Sequence, residues 1–270
     1  MKYAFVSFSC QELILEDVLA AASRYGYAGF EPRVGCGHRH GIELEASGAE
    51  RQRIREAASR SGIELCCLGT SCEYIDPATA QEQIELTCRY IDLACDVGAS
   101  LVKVFCGELP LGRTVRESLH VVAASLREIA PYAASKGIKV VVETHDHWSD
   151  PSDMADLMRL VDHASIKVLW DVMHTQREGF TAMEEAYRIV EPWLAHVHIH
   201  DGLTTLDRLQ LLPIGTGDFD HFKLLQLLQE GGYEGYLSGE WVEWEPYDIH
   251  LPRELAAMRQ LEARLIGSKP

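Results

Sequence analysis

Several features that mark other classes of protein are missing from this sequence of 270 residues. No span approaches the roughly 20 consecutive apolar residues that cross a bilayer, and the apolar run at residues 1–6 is too short for a signal peptide. Positive charge is scarce, because 25 Lys and Arg face 41 Asp and Glu, and a net charge of −16 disfavours nucleic-acid binding. We therefore expect a cytoplasmic protein with no nucleic-acid and no membrane partner.

The cysteine pattern gives little support to a structural zinc site, because none of the eight cysteines forms a CxxC pair. Most of them, including Cys66, Cys67 and Cys106, lie inside apolar runs. In a long chain without an export signal, such residues are expected to be reduced thiols packed in the core.

No stretch rich in Pro, Gly or Ser divides the chain, so we expect one domain over residues 1–270. The 47% of hydrophobic residues and 24% of charged residues are enough to build a sizeable core and exclude a disordered chain. A single α/β barrel is common at this length.

Eight short apolar runs alternate with segments whose apolar residues follow the helical period, such as 81–97 and 116–135. The predicted strands are 3–9, 27–32, 64–69, 101–106, 139–144, 167–171, 196–200 and 235–240. Eight parallel strands close most economically into a (β/α)8 TIM barrel, with its active site at the C-terminal ends of the strands. A doubly wound sheet is the alternative, but no glycine-rich turn follows the first strand.

The last four predicted strands end in residue types that bind metals. Glu143, Asp171 and Glu240 each follow an apolar strand, where an unpaired charge is costly, and residues 196–200 supply three histidines on one face. Three carboxylates and one imidazole suit a single divalent ion. We expect Mn²⁺ first, with Mg²⁺, Co²⁺ or Zn²⁺ also compatible.

The motifs at residues 142–145, 170–174, 196–201, 213–220 and 238–240 resemble the sugar phosphate isomerase/epimerase group of the xylose isomerase-like TIM barrels. This resemblance implies that Glu143, Asp171, His198 and Glu240 hold the metal. It also implies that Glu143 and Glu240 act as base and acid across an enediolate, while His174 contacts a substrate oxygen. The implied function is a metal-dependent isomerase or epimerase of a small sugar or polyol-derived carbonyl compound.

Two departures from this group bear on the substrate. Ketose epimerases of the group carry an arginine six residues after the metal-binding histidine, where this chain has Thr204, so Arg208 is the nearest candidate for substrate binding. His145 adds a polar group after the fifth strand and is a further substrate-binding candidate. A metal-dependent dehydratase of the inosose or dehydroshikimate type is therefore the alternative.

Two other classes have less support. The apurinic endonucleases that share this barrel carry more histidines than this chain has at residues 69–71 and 106–108. A non-catalytic sugar-binding protein is less favoured because both glutamates are present.

Four further patterns leave alternatives open. The loop holding Arg33, His38, Arg39 and His40 either closes over a polar ligand or is a solvated loop. The glycines at 215–217 supply a turn with Asp218 as helix N-cap in preference to a phosphate site.

His196 is expected to be a hydrogen-bonded core residue, and His200 to lie near the rim. A homo-oligomer is compatible with apolar surface contributed by Trp148, Trp193, Trp241 and Trp244.

Overall fold

The computed structural model describes residues 1–178, 181–203 and 209–267. Strands and helices alternate along the chain, as the sequence periodicity predicts. The strands are β1 (Lys2–Phe5), β2 (Gly29–Phe30), β3 (Glu64–Leu65), β4 (Leu68–Gly69), β5 (Leu101–Val104), β6 (Lys139–Glu143), β7 (Ile166–Asp171), β8 (Leu194–Ile199), β9 (Asp201–Gly202), β10 (Leu211–Leu212) and β11 (Tyr236–Gly239). The helices are α1 (Leu15–Tyr25), α2 (Gly48–Ser61), α3 (Ala80–Val97), α4 (Val115–Lys136), α5 (Pro151–Val161), α6 (Val172–Arg177), α7 (Met183–Val190), α8 (His221–Glu230) and α9 (Tyr247–Gly267).

The strands form a parallel barrel. Seven of them are hydrogen-bonded in the order β1-β11-β8-β7-β6-β5-β4, and β2 pairs with β3. Isolated bridges from Glu31 to Val6 and from Arg33 to Gly69 connect the second strand to its neighbours on both sides. The predicted TIM barrel is therefore confirmed, and the doubly wound alternative is wrong.

The third predicted strand is interrupted in the middle, which divides it into β3 and β4. Adjacent residues of a regular strand point to opposite sides, but Cys66 and Cys67 pack in the same cluster. The local backbone is therefore irregular at this point. β9 and β10 form a small antiparallel pair after β8.

Apolar side chains close the lower half of the barrel interior. This smaller cluster is separate from the main core between strands and helices, and consists of Ala4, Cys66, Cys67, Leu101, Val141, Leu169 and Tyr236. Two residues further toward the carboxyl ends of β5, β6 and β7, the side chains on the same side of the strand are charged. They are Lys103, Glu143 and Asp171. The barrel therefore presents a charged layer above an apolar floor.

The turn at residues 215–217 is filled by a carboxylate of the chain itself. Asp201 accepts backbone N–H bonds from Gly215 at 2.7 Å and from Gly217 at 3.1 Å, which leaves these donors unavailable to a phosphate. The predicted N-cap at Asp218 is wrong by two residues, because α8 begins at His221 and the Asp220 carboxylate accepts from the N–H of Lys223.

Two of the tryptophans named as surface candidates are in the core. Trp148 and Trp241 are buried, and the Trp148 indole N–H donates to the carbonyl of Gly107. They therefore contribute no surface for an oligomer. Within the described residues, no helix is both long and apolar enough to cross a bilayer.

Candidate metal centre and active site

Four side chains from successive barrel strands converge at one point. Glu143 and Asp171 end β6 and β7, His198 lies in β8, and Glu240 directly follows β11. The His198 Nδ1 atom lies 3.0 Å from Glu143 Oε1, 3.2 Å from Glu240 Oε2 and 4.0 Å from Asp171 Oδ2. One ligand atom from each of the four lies within 4.8 Å of the others. The spacing of these residues in the sequence therefore predicts their convergence correctly.

One buried oxygen of this quartet has no hydrogen-bond partner, as expected for a metal ligand. Asp171 Oδ1 accepts the N–H of His174 at the start of α6, whereas the buried Asp171 Oδ2 has no hydrogen-bond partner. Three carboxylates this close repel one another unless a cation lies between them. Three oxygen ligands and one nitrogen suit the divalent ions Mn²⁺, Mg²⁺, Co²⁺ and Zn²⁺.

Glu31 lies behind this quartet and joins it to a second histidine. Its carboxylate oxygens lie 3.1 and 3.2 Å from His198 Nε2, and Oε2 lies 2.8 Å from His196 Nε2. All three side chains are fully buried. Burial alone would raise the pKa of Glu31, but the charges and hydrogen bonds of His198 and His196 hold it well below its usual range. An ionised Glu31 keeps a proton on His198 Nε2, which leaves Nδ1 available to a metal.

Sequence reasoning missed Glu31, although it ends the second predicted strand in the same way that Glu143 ends the fifth. His196 is the buried, hydrogen-bonded histidine that the sequence analysis predicts. With Cys66, it and Glu31 form a second group whose ligand atoms lie within 4.8 Å of one another. This group is a weaker metal candidate, because burial raises the pKa of the Cys66 thiol well above its usual range and both Glu31 oxygens are already engaged.

Lys103 is the second functional candidate that sequence reasoning missed. Its Nζ lies 2.7 Å from Glu143 Oε2, and both side chains are 1% exposed. Burial alone would raise the pKa of Glu143, but Lys103 and His198 hold it well below its usual range. The signal was a lysine within the apolar strand 101–104, where an isolated charge is costly.

A cavity of about 410 Å³ opens beside the quartet. Its wall contains the predicted residues Glu240, His145 and His174, together with His200. The full lining consists of Phe8, Arg33, Lys103, Phe105, His145, His174, His200, Leu209, Leu211, Glu240 and Val242. Arg208 lies outside the described residues. A larger groove of about 590 Å³ beside α2 contains none of the quartet, so the smaller cavity is the candidate active site.

Three histidines in this wall differ in their surroundings. The ring centroids of His145 and His174 are 4.2 Å apart, and His145 Nδ1 lies 2.7 Å from Asp146 Oδ2. Burial alone would lower the pKa of His174, but Asp171 and then Glu178 raise it to about 9. Both ring nitrogens of His200 are buried and have no hydrogen-bond partner within the described part of the chain.

A family model for the xylose isomerase-like TIM barrel matches residues 19–263. The chain belongs to this family. This assignment confirms the resemblance identified from the sequence motifs.

Relatives of this xylose isomerase-like barrel are distant in sequence. An uncharacterized protein of Methanocaldococcus jannaschii is 27% identical over 158 residues, which cover 56% of this chain and 53% of the relative. The chain thus spans about half the length of the curated relative that it matches.

Three solved structures share the fold over almost the whole chain. The probable 3-DHS dehydratase AsbF of Bacillus anthracis is 18% identical with a TM-score of 0.81, covering 97% of this chain and 99% of that one. The IolI protein with a bound zinc atom is 16% identical with a TM-score of 0.82, covering 98% of both chains. The D-psicose 3-epimerase of Clostridium cellulolyticum is 16% identical with a TM-score of 0.78, covering 98% and 99%.

Proposed function

We propose that this chain is a divalent-metal-dependent isomerase or epimerase of a small polyhydroxylated carbonyl compound. The observation that carries the proposal is the convergence of Glu143, Asp171, His198 and Glu240 beside a cavity. The solved structures with this fold include a D-psicose 3-epimerase and a zinc-containing IolI protein, which agrees with metal-assisted chemistry on a sugar-like substrate.

The ion held by the quartet would polarise a substrate carbonyl and stabilise the negative charge that develops when the adjacent carbon loses a proton. Glu240 is the quartet member that lines the cavity, and its side chain is 13% exposed. Burial alone would raise the pKa of Glu240, but the charge of His198 lowers it, and a cation in the quartet would act in the same direction, so the carboxylate is ionised and able to accept a proton. We assign proton removal to Glu240.

Glu143 is the second carboxylate that we assign to proton exchange. Lys103 Nζ contacts its Oε2 atom at 2.7 Å, so the carboxylate has one defined orientation. His174 lines the same cavity, and Glu178 lies 3.5 Å from its Nδ1 atom and helps to raise its pKa, which suits the ring to donate a hydrogen bond to a substrate oxygen.

Deuterium incorporation from solvent tests this proposal, because it detects carbon-proton exchange whichever product follows. The wild-type protein with Mn²⁺ is incubated with a panel of ketoses, inososes and hydroxypyruvate. We expect Glu143→Gln and Glu240→Gln to abolish the exchange, whereas Glu185→Gln, at an exposed position of α7, keeps it. Full exchange in either active-site variant would rule out proton transfer by these carboxylates.

A dehydratase on the same site is the second candidate, and the pair formed by His145 and Asp146 favours it. Loss of water requires a group that protonates the departing hydroxyl. His145 lines the cavity, and its pKa is raised because Asp146 and Glu143 outweigh the lowering effect of burial. AsbF, named as a probable dehydratase, shares the fold. A new conjugated absorbance that disappears in His145→Asn would favour dehydration over isomerisation.

A further inference from the structure

Arg33 is a buried cation with no acidic partner. It is 7% exposed and lines the candidate active-site cavity. Its guanidinium donates to the carbonyl of Thr70 and to the hydroxyl of Ser71, both uncharged groups, while the buried Nε–H has no partner. Within residues 1–178, 181–203 and 209–267, no carboxylate lies within ion-pair distance of it. A buried charge without a counter-ion is costly, so its retention needs an explanation.

The loop that follows Arg33 fixes its backbone on both sides. The Arg33 N–H donates to Ser7 Oγ at 2.8 Å, and that hydroxyl lies 2.8 Å from His38 Nδ1. His40 Nε2 lies 2.9 Å from the Arg33 carbonyl and donates to it, because His40 Nδ1 accepts the N–H of Ile42. These two histidines are buried and serve as supports for Arg33, so this part of the loop is not a solvated segment.

The side chain of Arg33 is also held in place. Its aliphatic stem lies over Gly69, where a Cβ atom would come within 2.8 Å of Arg33 Cδ. The guanidinium lies 5.5 Å from the centre of the Phe8 ring. Contacts to its backbone, aliphatic stem and guanidinium hold Arg33 in one conformation. Little side-chain entropy is therefore lost when a ligand binds to it.

We propose that Arg33 forms an anion subsite for a carboxylate group carried by the substrate, in addition to the carbonyl and hydroxyl groups that the proposed function requires. The inference rests on that proposed function, because it assumes that substrate occupies this cavity. A guanidinium whose own protein partners are neutral matches an ionised carboxylate in charge and in geometry.

A carboxylate fits the local charge better than a phosphate group. Lys103, the lysine of the described cavity lining, is already paired with Glu143. Glu240 contributes a negative charge to the same wall. The two histidines of the wall with raised pKa values also have acidic partners, Glu178 for His174 and Asp146 for His145. Arg33 therefore offers the one guanidinium of the described lining without an acidic partner, which matches one negative charge, whereas a phosphate carries close to two.

The test uses three sugars that differ at carbon 6 alone: D-glucose, D-glucuronate and D-glucose 6-phosphate. Their dissociation constants are measured by titration calorimetry on the Mg²⁺-loaded protein. We expect D-glucuronate to bind at least about tenfold more tightly than either of the others. Arg33→Gln should remove this preference and Arg33→Lys should keep part of it, whereas Arg39→Gln, on the exposed part of the same loop, should leave it unchanged.

Three results would overturn the proposal: no preference for D-glucuronate in the wild type, a preference that survives in Arg33→Gln, or tighter binding of the phosphate. Circular dichroism and thermal unfolding establish that each variant is folded before its binding is compared. Failure here is distinguishable from failure of the proposed function. The sugar panel measures binding without turnover, whereas deuterium exchange measures proton transfer and does not require a carboxylate on the substrate.

Discussion

Replacing Glu31 with glutamine removes the charge behind His198, the histidine that we propose as a metal ligand, at nearly constant volume. In the wild type both carboxylate oxygens lie within 3.2 Å of His198 Nε2, and one also lies 2.8 Å from His196 Nε2. The amide of glutamine has one acceptor oxygen, so it cannot serve both histidines, and its NH₂ group is a donor facing a donor. His198 then loses the partner that fixes its tautomer and increases its basicity as a ligand.

Loss of such an outer partner lowers metal affinity by roughly 10–100-fold, or about 1.4–2.7 kcal/mol. The assay is a competition titration of metal-free protein with Mn²⁺ or Zn²⁺ against a chelator of known affinity. Glu64→Gln, at an exposed position of β3, is the matched control and should leave the dissociation constant unchanged. An unaltered metal affinity in folded Glu31→Gln would refute the assignment of Glu31 as a positioning residue for His198.

Three further outcomes are expected. Lys103→Met removes the cation that contacts Oε2 of the buried Glu143 carboxylate and should lower the free energy of unfolding of the metal-free protein by about 3–5 kcal/mol. Chemical denaturation measures this change, and the double variant Lys103→Met/Glu143→Gln should recover the loss. Burial lowers the pKa of His40 from 6.5 to about 4, so the unfolded state binds more protons than the folded state below pH 6.5. This residue alone should contribute about 2 kcal/mol to the stability lost between pH 7 and pH 5, and the loss should be smaller in folded His40→Asn. Mn²⁺ should raise the thermal unfolding temperature of the wild type but not that of Asp171→Asn, and equal shifts in both would contradict its assignment as a ligand.

The strands and the quartet could be predicted because local sequence determines them. An apolar run rich in β-branched residues that ends in a charge has few stable placements other than a buried strand whose charged end meets other polar groups, as at Glu143 and Asp171. The barrel then brings together residues that are distant in sequence, since parallel strands end at one face.

The contacts behind the quartet could not be predicted in this way. Glu31 and His198 are 167 residues apart, and no local pattern encodes which buried charge faces which. The second strand is also short, because β2 is two residues long, so its end gives a weaker signal than the end of β6. The supporting roles of His38 and His40 depend on backbone geometry around Arg33, which residue types alone do not specify.

Anomalous X-ray scattering from crystals of the Mn²⁺-loaded protein tests the metal assignment most directly. We expect one strong peak about 2.0–2.4 Å from His198 Nδ1 and from carboxylate oxygens of Glu143, Asp171 and Glu240. A peak bound instead by Glu31, Cys66 and His196, or no ion in contact with the four residues at saturating Mn²⁺, would contradict it.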